Sequence, residues 1–335
     1  MTRPPAFWDD PGSPLGRLLA PLSWLWRLGA ALRRLSARPR RVGAPVICVG
    51  GLTVGGAGKT PAVVALLQAL GEMDARPHAL SRGYGGRLRG PHRVDPARDA
   101  AADVGDEPLL LAAWAPAWVA RDRAAGAAAA VAAGADVVVM DDGHQNPTLA
   151  RDLSLVVVDA AAGFGNGRVM PAGPLREPVA AGLARADAVV AIGQDAEIDA
   201  LRARWPALDA LPLLRARLEP LATGLPLEGA AVSAFAGIAR PEKFFATLRR
   251  LGARLVAAHA LPDHAPLAPA LLRRLVAEAR AADAMLVTTE KDAVRLPAAF
   301  RREVMALPVR LRFEDPAALA ALLRRAWRPA APAAD

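Results

Sequence analysis

Val46-Ile-Cys-Val-Gly-Gly-Leu-Thr-Val-Gly-Gly-Ala-Gly-Lys-Thr-Pro61 is an apolar, β-branched run that empties into a glycine-rich turn and then into an Ala/Leu-rich stretch. The order predicts a strand, a tight loop and a helix start. Glycine lets successive backbone N–H groups converge on one point, and the helix N-terminus adds a positive pole there, so the loop is suited to hold phosphate. The expected nucleotide-binding residues are Thr53, Val54, Gly55, Gly56, Ala57, Gly58, Lys59 and Thr60. Lys59 has the reach for the outer phosphates of ATP, and the Thr60 hydroxyl is placed to ligate Mg²⁺. One position departs from G-x-x-x-x-G-K-[ST]: Thr53 stands where the leading glycine is usual, with Gly55 and Gly56 supplying the flexibility.

Outward from this loop the chain keeps alternating short apolar runs with helical stretches. Strands are expected at Pro45–Val49, His78–Ser81, Val137–Met140, Leu153–Val158 and Ala188–Ile192, with helices at Thr60–Leu70, Glu107–Trp114 and Arg123–Ala133. Runs apolar on both faces, alternating with helices, predict a parallel sheet covered on two sides. A less regular stretch, Trp205–Gly229, leads into a second series. Its strands are expected near Ala231–Phe235, Arg254–Ala258, Met285–Thr288 and Val309–Leu311, and its helices near Glu242–Leu251, Pro269–Ala281 and Pro316–Trp327. The expected fold is therefore α/β with two domains, the first a P-loop NTPase-like parallel sheet at 45–225 and the second at 226–335. The Pro/Ala-rich tail Arg328–Asp335 is expected to fray.

Val137-Val-Val-Met-Asp-Asp142 is a second apolar run, ending in paired carboxylates. In a P-loop fold an acid at the end of a neighbouring strand holds the magnesium that bridges the phosphates, which makes Asp141 and Asp142 candidate metal ligands alongside Thr60.

The net charge of +9 raises the question of a nucleic-acid partner. Basic runs interleaved with aromatics are missing, however, and almost all the cations are arginine, with lysine only at 59, 243 and 291. No nucleic acid is expected. Position says more than the total, because six of the nine net charges fall in residues 1–41. There Arg17, Arg27, Arg33, Arg34, Arg38, Arg40 and Arg41 accompany Leu18, Leu19, Leu22, Trp24, Leu25, Trp26, Leu28 and Leu32. The uncharged run from Leu18 to Trp26 is far short of the ~20 residues that cross a bilayer. Residues 1–44 are expected to form a basic amphipathic segment lying at a membrane surface, with Pro21 marking a kink or a helix start. The lone Cys48 excludes an internal disulfide and suits a reducing compartment.

With these residues in view, the ordered motifs GGLTVGGAGKTP, SRGYGG (81–86), GDEP (105–108), DDGHQN (141–146), FGNGRVMPAGPLRE (164–177), LPDH (261–264) and TEKDAV (289–294) resemble the tetraacyldisaccharide 4'-kinases over nearly the whole chain. The resemblance implies transfer of the ATP γ-phosphate to the 4'-hydroxyl of a tetraacylated glucosamine disaccharide 1-phosphate in lipid A biosynthesis. It also implies two α/β/α domains flanking a cleft, and an N-terminal helix seated on the cytoplasmic face of the bacterial inner membrane.

By the same resemblance Asp106 is the catalytic carboxylate and His264 its partner across the cleft, while Glu177 is a further metal-side carboxylate, with Gln145 supporting the metal through water. Arg82, Tyr84, Arg123 and Asn166 are candidate substrate contacts. Where the family commonly has an aromatic or Leu followed by Gln-His, this chain has His144, Gln145 and Asn146, and Asn cannot titrate. Gly51 stands where the family often carries Asn. TEKDAV is given no chemical role. The competing reading is a P-loop switch or metallochaperone-type NTPase. Against it stand Val54, where many such switches have a lysine, and the absence of an Asn-Lys-x-Asp sequence.

Overall fold

A computed structural model describes residues 5–221 and 226–328. The strands are β1 (Val46–Gly50), β2 (Pro77–Ser81), β3 (His92–Arg93), β4 (Ala117–Val119), β5 (Val137–Asp141), β6 (Leu153–Asp159), β7 (Ala188–Ile192), β8 (Leu213–Pro220), β9 (Ala231–Ala236), β10 (Arg254–Ala260), β11 (Met285–Thr289), β12 (Met305–Leu307) and β13 (Val309–Phe313). The helices are α1 (Pro14–Ser36), α2 (Lys59–Gly71), α3 (Ala101–Val104), α4 (Asp106–Ala112), α5 (Arg123–Ala132), α6 (Val179–Leu183), α7 (Asp195–Arg204), α8 (Pro241–Arg250), α9 (Pro269–Ala281), α10 (Glu290–Ala293) and α11 (Pro316–Ala326).

β1 is wholly buried and sits inside a nine-stranded sheet of order β13-β8-β7-β6-β1-β5-β2-β4-β3. The strands from β4 to β8 across that order are parallel, and β3 and β13 close the edges antiparallel. Alternation divides β1 between two cores. Ile47 and Val49 pack with α2, and Val46 and Cys48 with α5. Because β5 and β6 flank β1, the chain ends of all three open into one crevice, where parallel α/β sheets bind ligands.

A second sheet of order β10-β9-β11-β12 is parallel throughout, and α8 and α9 supply its cores with Phe244, Phe245, Leu248, Leu272 and Leu275. Two expectations need correction. The stretch read as irregular contains β8, which pairs with β7. The final strand and helix do not belong to the second unit. β13 pairs antiparallel with β8, and Leu319, Leu322, Leu323 and Trp327 of the last helix join the core beside α2. The chain therefore crosses to the second sheet and returns, so the span 226–335 covers parts of both. The expected boundary at 225 and the tail from 329 onward lie outside the described residues.

α1 starts on Ser13, whose hydroxyl accepts from the Gly16 amide, with Pro14 at the first turn. It continues through Pro21 without ending. Gly16 and Ser23 are its buried residues, and the Ser23 hydroxyl donates to the Val169 carbonyl at 2.6 Å. The opposite side leaves Leu18, Trp24, Leu25 and Leu35 exposed by 74, 68, 67 and 84%. Among the described residues no helix is long and apolar enough to cross a membrane.

Candidate active site

The glycine-rich loop leaves β1 and enters α2 through Gly58, whose φ of +83° is open to glycine and strained for other residues. A side chain there would also strike Ile192, with a Cβ 2.5 Å from its Cδ1. The loop is strapped from outside by the PAGPLRE segment. The Val54 amide donates to the Pro174 carbonyl at 2.9 Å, and the Arg176 amide to Leu52 at 2.7 Å. Lys59 folds back over the turn, 3.4 Å from the Gly55 carbonyl and 3.6 Å from Asp142 Oδ1.

Asp141 and Asp142 end β5 beside this loop and have opposite electrostatics. Both oxygens of Asp141 are buried and accept no hydrogen bond. Burial and then the charges of Glu107 and Asp142 push its carboxyl up to about 8. Burial opposes ionisation at Asp142 too, but Lys59 and Arg176 pull it down to about 2. Arg176 grips it bidentately, at 2.8 and 2.9 Å. A buried carboxylate with two orphaned oxygens facing a phosphate cradle fits a divalent cation. Among the described residues no group of three or more His, Cys, Asp and Glu side chains closes around a common point.

Glu177, expected on the metal side, is otherwise engaged. Both of its oxygens accept from Arg185 at 2.7 Å, one from Arg34 at 3.3 Å and the other from Gln145 at 3.0 Å. A carboxylate this deeply buried needs such cations in any case. Gln145 then bonds the Gly51 carbonyl and accepts from Arg176 at 3.1 Å, so Glu177 braces the Asp142 side of the site through intermediaries. His144 does not substitute for a titrating family histidine. It is buried, donates from Nε2 to the Gly182 carbonyl, accepts at Nδ1 from Ser154, and is pushed down to about 4 by burial and Arg151. Asn146 caps a turn by accepting from Thr148 and Leu149.

Asp106 opens α4 after Gly105, and its Oδ1 accepts from the Glu107 amide. His264 comes from the second unit, in the loop after β10, with a φ of +57°. Its Nδ1 lies 2.9 Å from Asp106 Oδ2, close enough to bond although the oxygen still lacks a well-directed donor. Burial opposes ionisation of Asp106, but the His264 contact and the Lys291 charge hold it below the usual carboxylate range. The Tyr84 ring meets the His264 ring edge-on at 5.9 Å.

Both ends open into one cavity of about 2060 Å³ between the two sheets, which also borders α1 at Trp26, Arg33 and Arg34. Arg82, Tyr84 and Arg123 line it. Arg123 is buried and donates to the Ala120 carbonyl, and burial together with Arg82 lowers it to about 10. Asn166 is absent from the lining. Its side chain ties Phe7, Ala172 and Arg168 together, which is a scaffold role. The sequence reading missed Arg176, Lys291 and Arg295, because an arginine or lysine inside a motif shows its partner only after folding.

Residues 15–328 match the family model described as LpxK, tetraacyldisaccharide-1-P 4'-kinase. A relative from Dinoroseobacter shibae named tetraacyldisaccharide 4'-kinase is 59% identical over 327 residues, covering 96% of each chain. Another of that name, from Rhodospirillum centenum, is 58% identical and covers 95% of each. A solved structure of LpxK from Aquifex aeolicus, described as an "apo" form in complex with ATP, matches with a TM-score of 0.76 at 27% identity, covering 93% of this chain and 100% of that one.

Proposed function

The chain belongs to the tetraacyldisaccharide-1-P 4'-kinase family, and from that premise we propose how its cleft moves a phosphoryl group from ATP to the 4'-hydroxyl of a tetraacylated glucosamine disaccharide 1-phosphate. The observation that carries the reading is the buried, under-donated Oδ2 of Asp106, 2.9 Å from Nδ1 of His264, which lines the same cavity as the Gly55–Thr60 loop.

In this reading the loop amides and Lys59 hold the triphosphate, and Asp141, the Thr60 hydroxyl and Asp142 hold magnesium. The ion, when bound, neutralises charge building on the phosphate oxygens. Asp106 accepts the proton of the sugar hydroxyl as that oxygen bonds to phosphorus and ADP departs. His264 keeps the carboxylate turned toward the acceptor. Since phosphoryl transfer depends mostly on alignment and charge stabilisation, the rigid bracing of Asp142 by Arg176 matters as much as the base. Arg82, Tyr84 and Arg123 line the cavity, which supports a role for them in contacting the polar head of the acceptor.

The exposed Leu and Trp residues of α1, with Arg27, Arg33 and Arg38 nearby, support seating at an anionic membrane surface, on the cytoplasmic side where ATP is present. That geometry brings a lipid head to the mouth of the cavity while the acyl chains stay in the bilayer. A P-loop switch ATPase is not favoured, because the family match spans nearly the whole chain.

The direct test is purified protein with Mg-ATP and the disaccharide 1-phosphate acceptor. Mass spectrometry should find one added phosphate on the distal sugar; label released only as inorganic phosphate would defeat the proposal.

A further inference from the structure

The TEKDAV segment packs behind His264 rather than against the phosphate loop. Lys291 Nζ is 3.1 Å from His264 Nε2, 3.6 Å from Glu107 Oε1 and 3.9 Å from Asp263 Oδ1. Asp292 is completely buried and accepts from the Gly237 amide at 3.1 Å and from the Thr289 hydroxyl at 2.7 Å, and it also pairs with Arg295. Arg295 in turn donates to the carbonyls of Ala265 at 2.8 Å and Gly237 at 3.3 Å. The His264 amide donates to that same Gly237 carbonyl at 3.2 Å. The left-handed backbone at His264, which a non-glycine residue adopts only under constraint, is thus held on both sides by one buried ion pair.

An ammonium group donates and cannot accept, so a bond between Lys291 and His264 makes Nε2 the acceptor. The single proton of a neutral imidazole is then on Nδ1, which is the nitrogen facing Asp106 Oδ2. Without Lys291 the ring is at liberty to carry its proton on Nε2, and a lone pair on Nδ1 would then oppose the carboxylate.

We propose that Lys291 is a positioning residue for the transfer reaction: by donating to His264 Nε2 it confines the ring proton to Nδ1, so that His264 serves Asp106 as a donor, while Asp292 and Arg295 hold the loop in that register. The inference rests on the kinase reading for its effect on turnover, but not for the tautomer itself. Nothing bonds or breaks at Lys291; the hydroxyl proton still goes to Asp106.

The test uses the full chain with ¹⁵N-labelled histidine, and His264 is assigned by comparison with His264→Asn. In the wild type its spectrum should show a protonated Nδ1 and an unprotonated Nε2. Lys291→Met, which keeps the stem and removes the donor, should shift the pattern toward protonated Nε2. The same variant should lower kcat about tenfold to a hundredfold, no more than the lower end of a full acid–base contribution because the base itself is retained, and leave KM for ATP within about twofold. Lys291→Gln, which retains an N–H donor, should recover part of kcat. A wild-type His264 protonated on Nε2 alone would overturn the inference, as would a Lys291→Met enzyme with unchanged kcat or with its whole loss in KM. Wild-type protein that transfers no phosphate would sink the kinase reading instead, and the spectrum would still decide the tautomer.

Discussion

At the phosphate end of the cleft, Gly55, Gly58, Lys59 and Thr60 lie in a single turn, and the carboxylates facing them end the adjacent strand. At the proposed acceptor end, Asp106 starts a helix of the first sheet, and His264 and Arg295 come from loops around the second and Lys291 from its short helix α10. The electrostatics differ as well. Burial leaves Asp141 without partners and raises it, whereas the His264 contact and the Lys291 charge keep Asp106 ionised despite burial. The first end is a glycine-rich turn that, in the proposed reading, holds phosphates and a cation. The second is a proposed base completed by contact between two units, so it should be the end that responds to mutations far from the chemistry.

Lys59→Ala should have the largest effect, lowering kcat by about a thousandfold or more, because a preorganised cation over the transferring group is lost. It should leave the melting temperature nearly unchanged, since Arg176 still pairs with Asp142. Turnover near wild type would break the assignment of the phosphate end. Asp106→Asn should cost about a hundredfold or more in kcat. Nucleotide affinity, measured by calorimetry, should stay at the wild-type value. Comparable damage to both would mean that the two ends are not separable. Because the Asp106 carboxyl is depressed, its basic form persists through neutral and mildly acidic pH. Its protonation should therefore reduce kcat only below the ordinary carboxylate range.

Asp292→Ala tests whether the acceptor end depends on tertiary support. It removes one partner of a buried pair and should destabilise the fold by about 3–5 kcal/mol in chemical denaturation. Little loss would show that the loop bearing His264 is held by other contacts. Replacing Leu25 and Leu28 with Asp on α1 should reduce binding to anionic vesicles at least about tenfold, given ~1.5–3 kcal/mol for each large side chain removed from an apolar phase. Turnover of a detergent-dispersed acceptor should change much less. Equal losses in both assays would place α1 in the acceptor site rather than at a surface. The smallest expected effect is at Cys48, whose thiol burial pushes up to about 11. It should resist alkylation at pH 8 in the native protein and react only on unfolding.

The strand, loop and helix around Lys59 were legible because their geometry is local: hydrophobic runs, glycines and a helix start are read in sequence order. The carboxylates of β5 were legible for the same reason, as parallel α/β topology places the end of a neighbouring strand beside the loop. The pairing of Asp106 with His264 came from resemblance and not from spacing, since nothing local marks a histidine in a loop as a partner. What folding alone decided were the relations between distant segments. Arg176 clamps Asp142, Glu177 is drawn into Arg185 and Gln145, and β13 returns to the first sheet to pair with β8. Lys291 finds His264 in the same way. A long charged side chain is satisfied by whichever opposite charge or acceptor the packed backbone brings within reach. That choice is set by burial and distance in three dimensions, which the order of residues does not encode locally.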